Sequence, residues 1–196
     1  MPAELIKFFL SKKSISSEIQ MKLILNSAPV LKNVKASCMF IVPTGQEKQI
    51  CALLYGTGIK MFILYRNDRI TELFIYREAA LEEYINEADN RCFLESKGYR
   101  SFTNVKNDLM LLGMHMKDYF DKNREFPHEA GVFLGYPLED VKGFVKHEGQ
   151  NFSFCGYWKV YSNVDAAKQS FSAFDRAKDQ CLAEFVSGKG ISEIAC

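Results

Sequence analysis

Residues 37–66 read SCMFIVPTGQEKQICALLYGTGIKMFILYR. Ser37 to Val42 is a short apolar run rich in strand formers, closed by the turn chemistry of Pro43-Thr44-Gly45. Gln46 to Tyr55 then sets Ile50, Leu53 and Leu54 at helical spacing, and Gly56 with Gly58 supplies the stop. Ile59 to Arg66 is apolar on both alternating faces except at Lys60, the pattern of a central strand covered on both sides. Strand, helix and strand in one stretch make this an α/β (or α+β) chain.

Outward from that unit the pattern is mostly helical. A helix is expected to start after Ser14-Ile15-Ser16-Ser17, whose serines can cap it, to bury Ile19, Leu23 and Ile24, and to end before Pro29. Residues 68–98 are dense in Glu, Arg and Leu and read as two helices, Glu78 to Glu87 and Asp89 to Lys97. From Asn104 to Lys122, Val105, Leu109, Leu112, Met116 and Tyr119 step by four, three, four and three residues along one face, as in a long amphipathic helix. Short helices are expected at Glu129 to Leu134 and Pro137 to Val145. Tyr157 to Tyr161 reads as the third strand. A long C-terminal helix from Asn163 to Gly188 would pack Ala167, Phe171, Phe174, Cys181 and Phe185 inward. No repeat or linker divides the chain, so the expectation is one domain over 1–196: a small sheet of three to four strands with six or seven helices.

Composition excludes more than it identifies. With 47% hydrophobic and 25% charged residues, the 196-residue chain is neither disordered nor fibrous. A net charge of +1 implies no global attraction to nucleic acid or anionic lipid, and the nearest basic cluster is only Lys12-Lys13 with Lys32 and Lys35. No apolar run reaches membrane-span length, and the start, Met-Pro-Ala-Glu, has an acid where a signal peptide carries basic residues, so a cytoplasmic location is expected. Six scattered cysteines without a CxxC pair fit reduced thiols, with Cys38 and Cys51 in apolar runs and Cys181 on a core stripe.

Familiar catalytic motifs fail on spacing. Gly56-Thr57-Gly58 has Met61 in place of the third glycine of a dinucleotide fingerprint and leads from helix to strand. Gly188-Lys189-Gly190-Ile191-Ser192 lacks the first glycine of a P-loop, at position 183. His128-Glu129 has Val132 where a zinc-protease helix needs its second histidine, and His115, His128 and His147 have no common spacing, so no metal site is expected. No Gly-x-Ser-x-Gly elbow occurs.

One segment stands out: FPHEAGVFLGYPLEDVKGF over Phe126 to Phe144, with CGYWKVY over Cys155 to Tyr161 after it. With Ala28-Pro29-Val30-Leu31 and Lys35 upstream, it resembles the bacterial family called domain of unknown function 3793. Three separated elements occur in order and at fitting distances. The resemblance implies a cytosolic protein of anaerobic bacteria and points toward redox or iron metabolism, with no reaction or cofactor attached. Ser27 stands where relatives are expected to carry a cysteine before Ala-Pro, which argues against a two-cysteine site with Cys155.

In a strand over 155–161, alternation would put Cys155, Tyr157, Lys159 and Tyr161 on one face and Trp158 and Val160 on the other. The first face would stack a planar ligand on its tyrosines and hold an anionic group with Lys159, with Tyr136 and Asp140 bordering the cleft. The alternative is an edge strand with Trp158 and Val160 in the core and Lys159 snorkelling into water. His128, modulated by Glu129, is a candidate general base or ligand, or simply a residue at a helix start. Cys155 is the thiol expected to be accessible, and Gly131, Gly135 and Gly143 are expected to serve packing or backbone geometry, not phosphate binding. Three readings stay open: a non-catalytic module for a small ligand, cofactor or protein partner; an enzyme using His128, Cys155 and Lys159 as base, nucleophile and clamp; and a structural protein-interaction module.

Overall fold

A computed structural model describes residues 15–100 and 104–195. Ser14, Lys12-Lys13 and the last of the six cysteines, Cys196, lie outside the described residues. In chain order the elements are α1 (Ile15–Leu31), β1 (Ser37–Pro43), α2 (Glu47–Leu54), β2 (Lys60–Arg66), β3 (Ile70–Tyr76), α3 (Glu78–Ile85), α4 (Ala88–Ser96), α5 (Val105–Lys122), α6 (Ala130–Phe133), α7 (Leu138–Lys146), β4 (Phe154–Cys155), β5 (Lys159–Val160), α8 (Val164–Val186) and α9 (Ile191–Ile194). The α/β expectation holds. Nine helices occur among the described residues, of which α6 and α9 are single turns.

The main sheet has the order β1-β3-β2, both pairs antiparallel, with Phe40 opposite Leu73 and Phe62 opposite Phe74. A register shift interrupts the β2–β3 ladder between Ile63 and Tyr65. The third strand of this sheet is therefore Ile70–Tyr76, within the charged stretch read as helical, and not Tyr157–Tyr161. That stretch also holds the two expected helices, the first starting at Glu78 as expected and the second at Ala88, one residue before Asp89. β3 takes the central place expected for β2, which lies at an edge. From Thr71 to Tyr76 every β3 residue is buried, as befits a strand covered on both faces.

Two apolar clusters cover the two faces. Cys38, Phe40 and Val42 of β1 with Leu73 and Ile75 of β3 pack against Leu23, Ile24 and Leu31 of α1, Ile50 of α2 and Cys181 and Phe185 of α8. Phe74 and Tyr76 face the other way, against Leu81 of α3, Leu94 of α4, Leu109, Leu112 and Met116 of α5 and Phe133 of α6. Each large side chain withdrawn from water in these layers contributes roughly 1.5–3 kcal/mol. A third cluster joins Val160 to Ala167, Phe171 and Phe174 in the first half of α8.

Helix ends obey their local chemistry. The side chains of Asn104 and Asn163 accept from the backbone N–H groups of Lys106 and Ala166, both at 3.0 Å. α1 runs two residues past Pro29 instead of stopping before it. Proline brings no donor there, and beyond it Arg77 caps the helix end: its Nε donates to Val30 O at 2.8 Å, which also accepts from the Asn33 N–H at 3.2 Å, and its Nη2 donates to Leu31 O at 3.0 Å. Lys32 and Glu184 tie α1 to α8 by an ion pair of 2.9 Å. No helix among the described residues is long and apolar enough to cross a membrane.

Candidate functional site

Asp140, in the first turn of α7, is 2% exposed and anchors the β4–β5 hairpin that comes after it in the chain. Its Oδ2 accepts from Trp158 Nε1, and its Oδ1 from the backbone N–H groups of Tyr161 and Ser162 and from Ser162 Oγ, each at 2.8 Å. Four donors thus meet this one carboxylate, three at Oδ1 and one at Oδ2, and hold the hairpin on α7. Trp158 is thereby stacked on Tyr136, with centroids 5.1 Å apart, and edge-on to Phe171 at 4.5 Å. Two glycines permit this approach. A Cβ on Gly143 would come within 2.5 Å of the Tyr161 ring, and one on Gly156 would enter the Phe171 ring. Gly131 packs on Val141 and Gly135 has φ +69°, so the sequence reading of those glycines as packing and backbone positions fits their geometry.

Between the hairpin and the α6–α7 segment lies a cleft of about 550 Å³. On one wall His128 rests between Phe126 and Phe144, with centroids at 5.7 and 5.2 Å. At another, Lys159 Nζ donates to Gly149 O at 2.7 Å and lies over the Phe144 and Phe152 rings at 5.6 and 5.0 Å. Cys155, Tyr157, Trp158 and Tyr136 complete the wall. Burial holds the Tyr136 hydroxyl above its usual pKa. Tyr157 is pushed to about 12, first by burial and then by its 2.8 Å hydrogen bond to Asp175.

Of the residues singled out from sequence, His128, Tyr136, Asp140, Cys155, Tyr157 and Lys159 border this one cleft. Tyr161 does not: its ring stacks on His147 at 5.7 Å and an interplanar angle of 10°. The single alternating face fails for a structural reason. Phe154–Cys155 pairs with Lys159–Val160, and the chain turns through Gly156, Tyr157 and Trp158 between them, so the period of two is broken. Nor does Trp158 face away, as alternation implied, for it forms the cleft wall. Glu129 does not pair with His128 but meets His115 Nδ1 at 2.7 Å and accepts from the Tyr99 hydroxyl at 3.3 Å. Cys155 is exposed as expected, and so are Cys92 and Cys51; the last sits on the outer side of α2, away from the stripe of Ile50 and Leu54.

Sequence reading also missed the reach of Lys35. Its ammonium lies over Tyr136 at 5.0 Å and Phe174 at 5.8 Å, and burial lowers its pKa to about 8. A family model described as "Protein of unknown function (DUF3793)" matches residues 23–195. The chain belongs to this family. No curated protein and no solved structure matches it. In this DUF3793 chain the three elements that carried the likeness meet in space: Lys35 covers Tyr136, Tyr136 stacks on Trp158, and Trp158 donates to Asp140. Ser27 is wholly buried in α1 and donates to Leu23 O at 2.6 Å, whereas Cys155 opens on the DUF3793 cleft. Among the described residues no group of three or more His, Cys, Asp or Glu is placed to hold a metal ion.

Proposed function

We propose that the chain is a binding module for a small, flat molecule bearing an anionic group, seated in the cleft between α6–α7 and the β4–β5 hairpin. The cleft itself carries this reading: about 550 Å³, walled by Phe126, Phe144, Tyr136, Tyr157 and Trp158, with few polar groups. That balance of apolar wall and sparse, fixed polar groups suits capture of a small organic molecule. Asp140 spends its acceptors on the hairpin, so the charge offered to a ligand is the ammonium of Lys159. A ring system would stack against the aromatic wall while its anionic group meets that ammonium.

The dye 8-anilinonaphthalene-1-sulfonate has this shape and charge, and Trp158, the sole tryptophan, lines the cleft. Titration should quench Trp158 emission with one site per chain, and Lys159→Met should weaken binding by about tenfold, or ~1.4 kcal/mol. Unchanged affinity in that variant, with Trp158 emission unmoved, would remove the assignment. An absorption spectrum of the protein as purified tests the redox or iron link through flavin, haem or iron–sulfur bands.

A second reading, an enzyme, draws support from His128, Cys155 and Lys159 bordering one cleft. As base, nucleophile and clamp they require His128 to activate the thiol. Alkylation of Cys155 by iodoacetamide should then slow in His128→Ala, and an unaltered rate across pH 6–9 rules the reading out.

A further inference from the structure

His128 is the second group on the cleft wall that is able to carry positive charge. No hydrogen bond or ion pair among the described residues engages either nitrogen of its ring, and neither nitrogen is buried. Of the other histidines, His115 Nδ1 meets Glu129, and His147 stacks on Tyr161 outside the cleft. His128 and Lys159 pack on one ring, Phe144, whose centroid lies 5.2 Å from the imidazole centroid and 5.6 Å from the ammonium. That ammonium has three donors, of which Gly149 O takes one. The remaining titratable groups lining the cleft are Tyr136, Asp140, Cys155 and Tyr157. Both tyrosines hold their protons more tightly than usual, and Asp140 already meets four donors. Glu129, next to His128 in the chain, is turned to His115 and Tyr99.

Resting on the reading of this cleft as a site for a flat anion, we infer that its ligand is an aromatic dianion, one charge held by Lys159 and the other by protonated His128. Imidazole changes charge between roughly pH 5 and 8, so the second contact is present on the acid side of that range and lost on the alkaline side. Without a ligand, an imidazolium near the Lys159 ammonium is disfavoured by like-charge repulsion, and a dianion between them offsets that cost. A monoanion leaves one of the two cations unmatched. The preference for a dianion over a monoanion with the same aromatic core therefore rises as pH falls. A second cleft of about 400 Å³ shares Trp158 as a wall, but there Glu83 and Glu87 outnumber Lys35, so an anionic probe favours the first.

The matched probes are naphthalene-1-sulfonate and naphthalene-1,5-disulfonate, whose sulfonates stay ionised throughout this range, so that any pH effect belongs to the protein. Isothermal titration calorimetry on the intact protein gives both affinities at pH 5.5 and pH 8.0. The ratio of disulfonate to monosulfonate affinity should rise at least about fivefold from pH 8.0 to pH 5.5, and the rise should vanish in His128→Gln, whose amide takes no charge. A smaller rise, or one that persists in that variant, overturns the inference, while binding of the monosulfonate leaves the binding-module reading standing. If neither sulfonate binds, that reading fails and this inference with it.

Discussion

Asp140 offers its acceptors to four donors and loses its function if one oxygen becomes an amide. In Asp140→Asn, either the indole N–H or the Tyr161–Ser162 donors must face an NH2 group. The expected cost is about 1.5–3 kcal/mol in urea unfolding, with Trp158 emission shifted to the red as the hairpin loosens. Gly156→Ala drives a methyl into Phe171, so a loss of roughly 1–3 kcal/mol is expected, together with loss of dye binding in the first cleft. Glu72 behaves oppositely to a paired carboxylate. It is 4% exposed on β3, its Oε2 has no hydrogen-bond partner, and burial raises its pKa to about 7. The folded state therefore holds this proton more tightly than the unfolded chain, and stability falls as pH rises from about 4.5 toward 7. Glu72→Gln should be more stable than the parent by roughly 2–3 kcal/mol at pH 8, a gain that vanishes near pH 4 in chemical denaturation.

At the scale of elements, the end of α1 depends on a residue from the end of β3. Arg77→Ala removes the donors to Val30 O and Leu31 O, so amide exchange in the last turn of α1 should quicken and stability fall by about 2 kcal/mol. How far elements were legible in the sequence varied with the forces that form them. α5 was legible because one face alone is buried, and Val105, Leu109, Leu112 and Met116 keep the helical step. β3 was not: burial on both faces erases alternation, and Glu72 in its middle disguises a central strand as part of a charged helical stretch. Most of the cleft could be anticipated because its parts lie close together in sequence, from Phe126 to Lys159. Trp158 was misplaced because its position comes from Asp140 and Tyr136, not from strand alternation. Lys35 was beyond reach, since no local pattern signals a contact with rings on α8 and before α7.

Across the whole molecule, α8 links what would otherwise be separate parts. Its second half, through Cys181 and Phe185, belongs to the layer over β1 and β3, and its first half, through Phe171 and Phe174, underlies the hairpin. Phe174→Ala and Phe185→Ala should each cost about 3–5 kcal/mol. In both variants Trp158 emission and far-ultraviolet circular dichroism should lose signal in one coincident transition; separate midpoints would mean that the hairpin region unfolds by itself. The sheet order β1-β3-β2 also has a consequence for encounters between molecules. Each outer strand leaves a row of peptide groups with no strand partner among the described residues, the kind of border onto which a foreign strand can add. Both borders carry obstacles to such growth. β2 is broken by its register shift and has Lys60 and Arg66 at its two ends, while β1 finishes on Pro43, which has no N–H to offer. The small sheet can thus remain three strands wide without becoming a seed for aggregation.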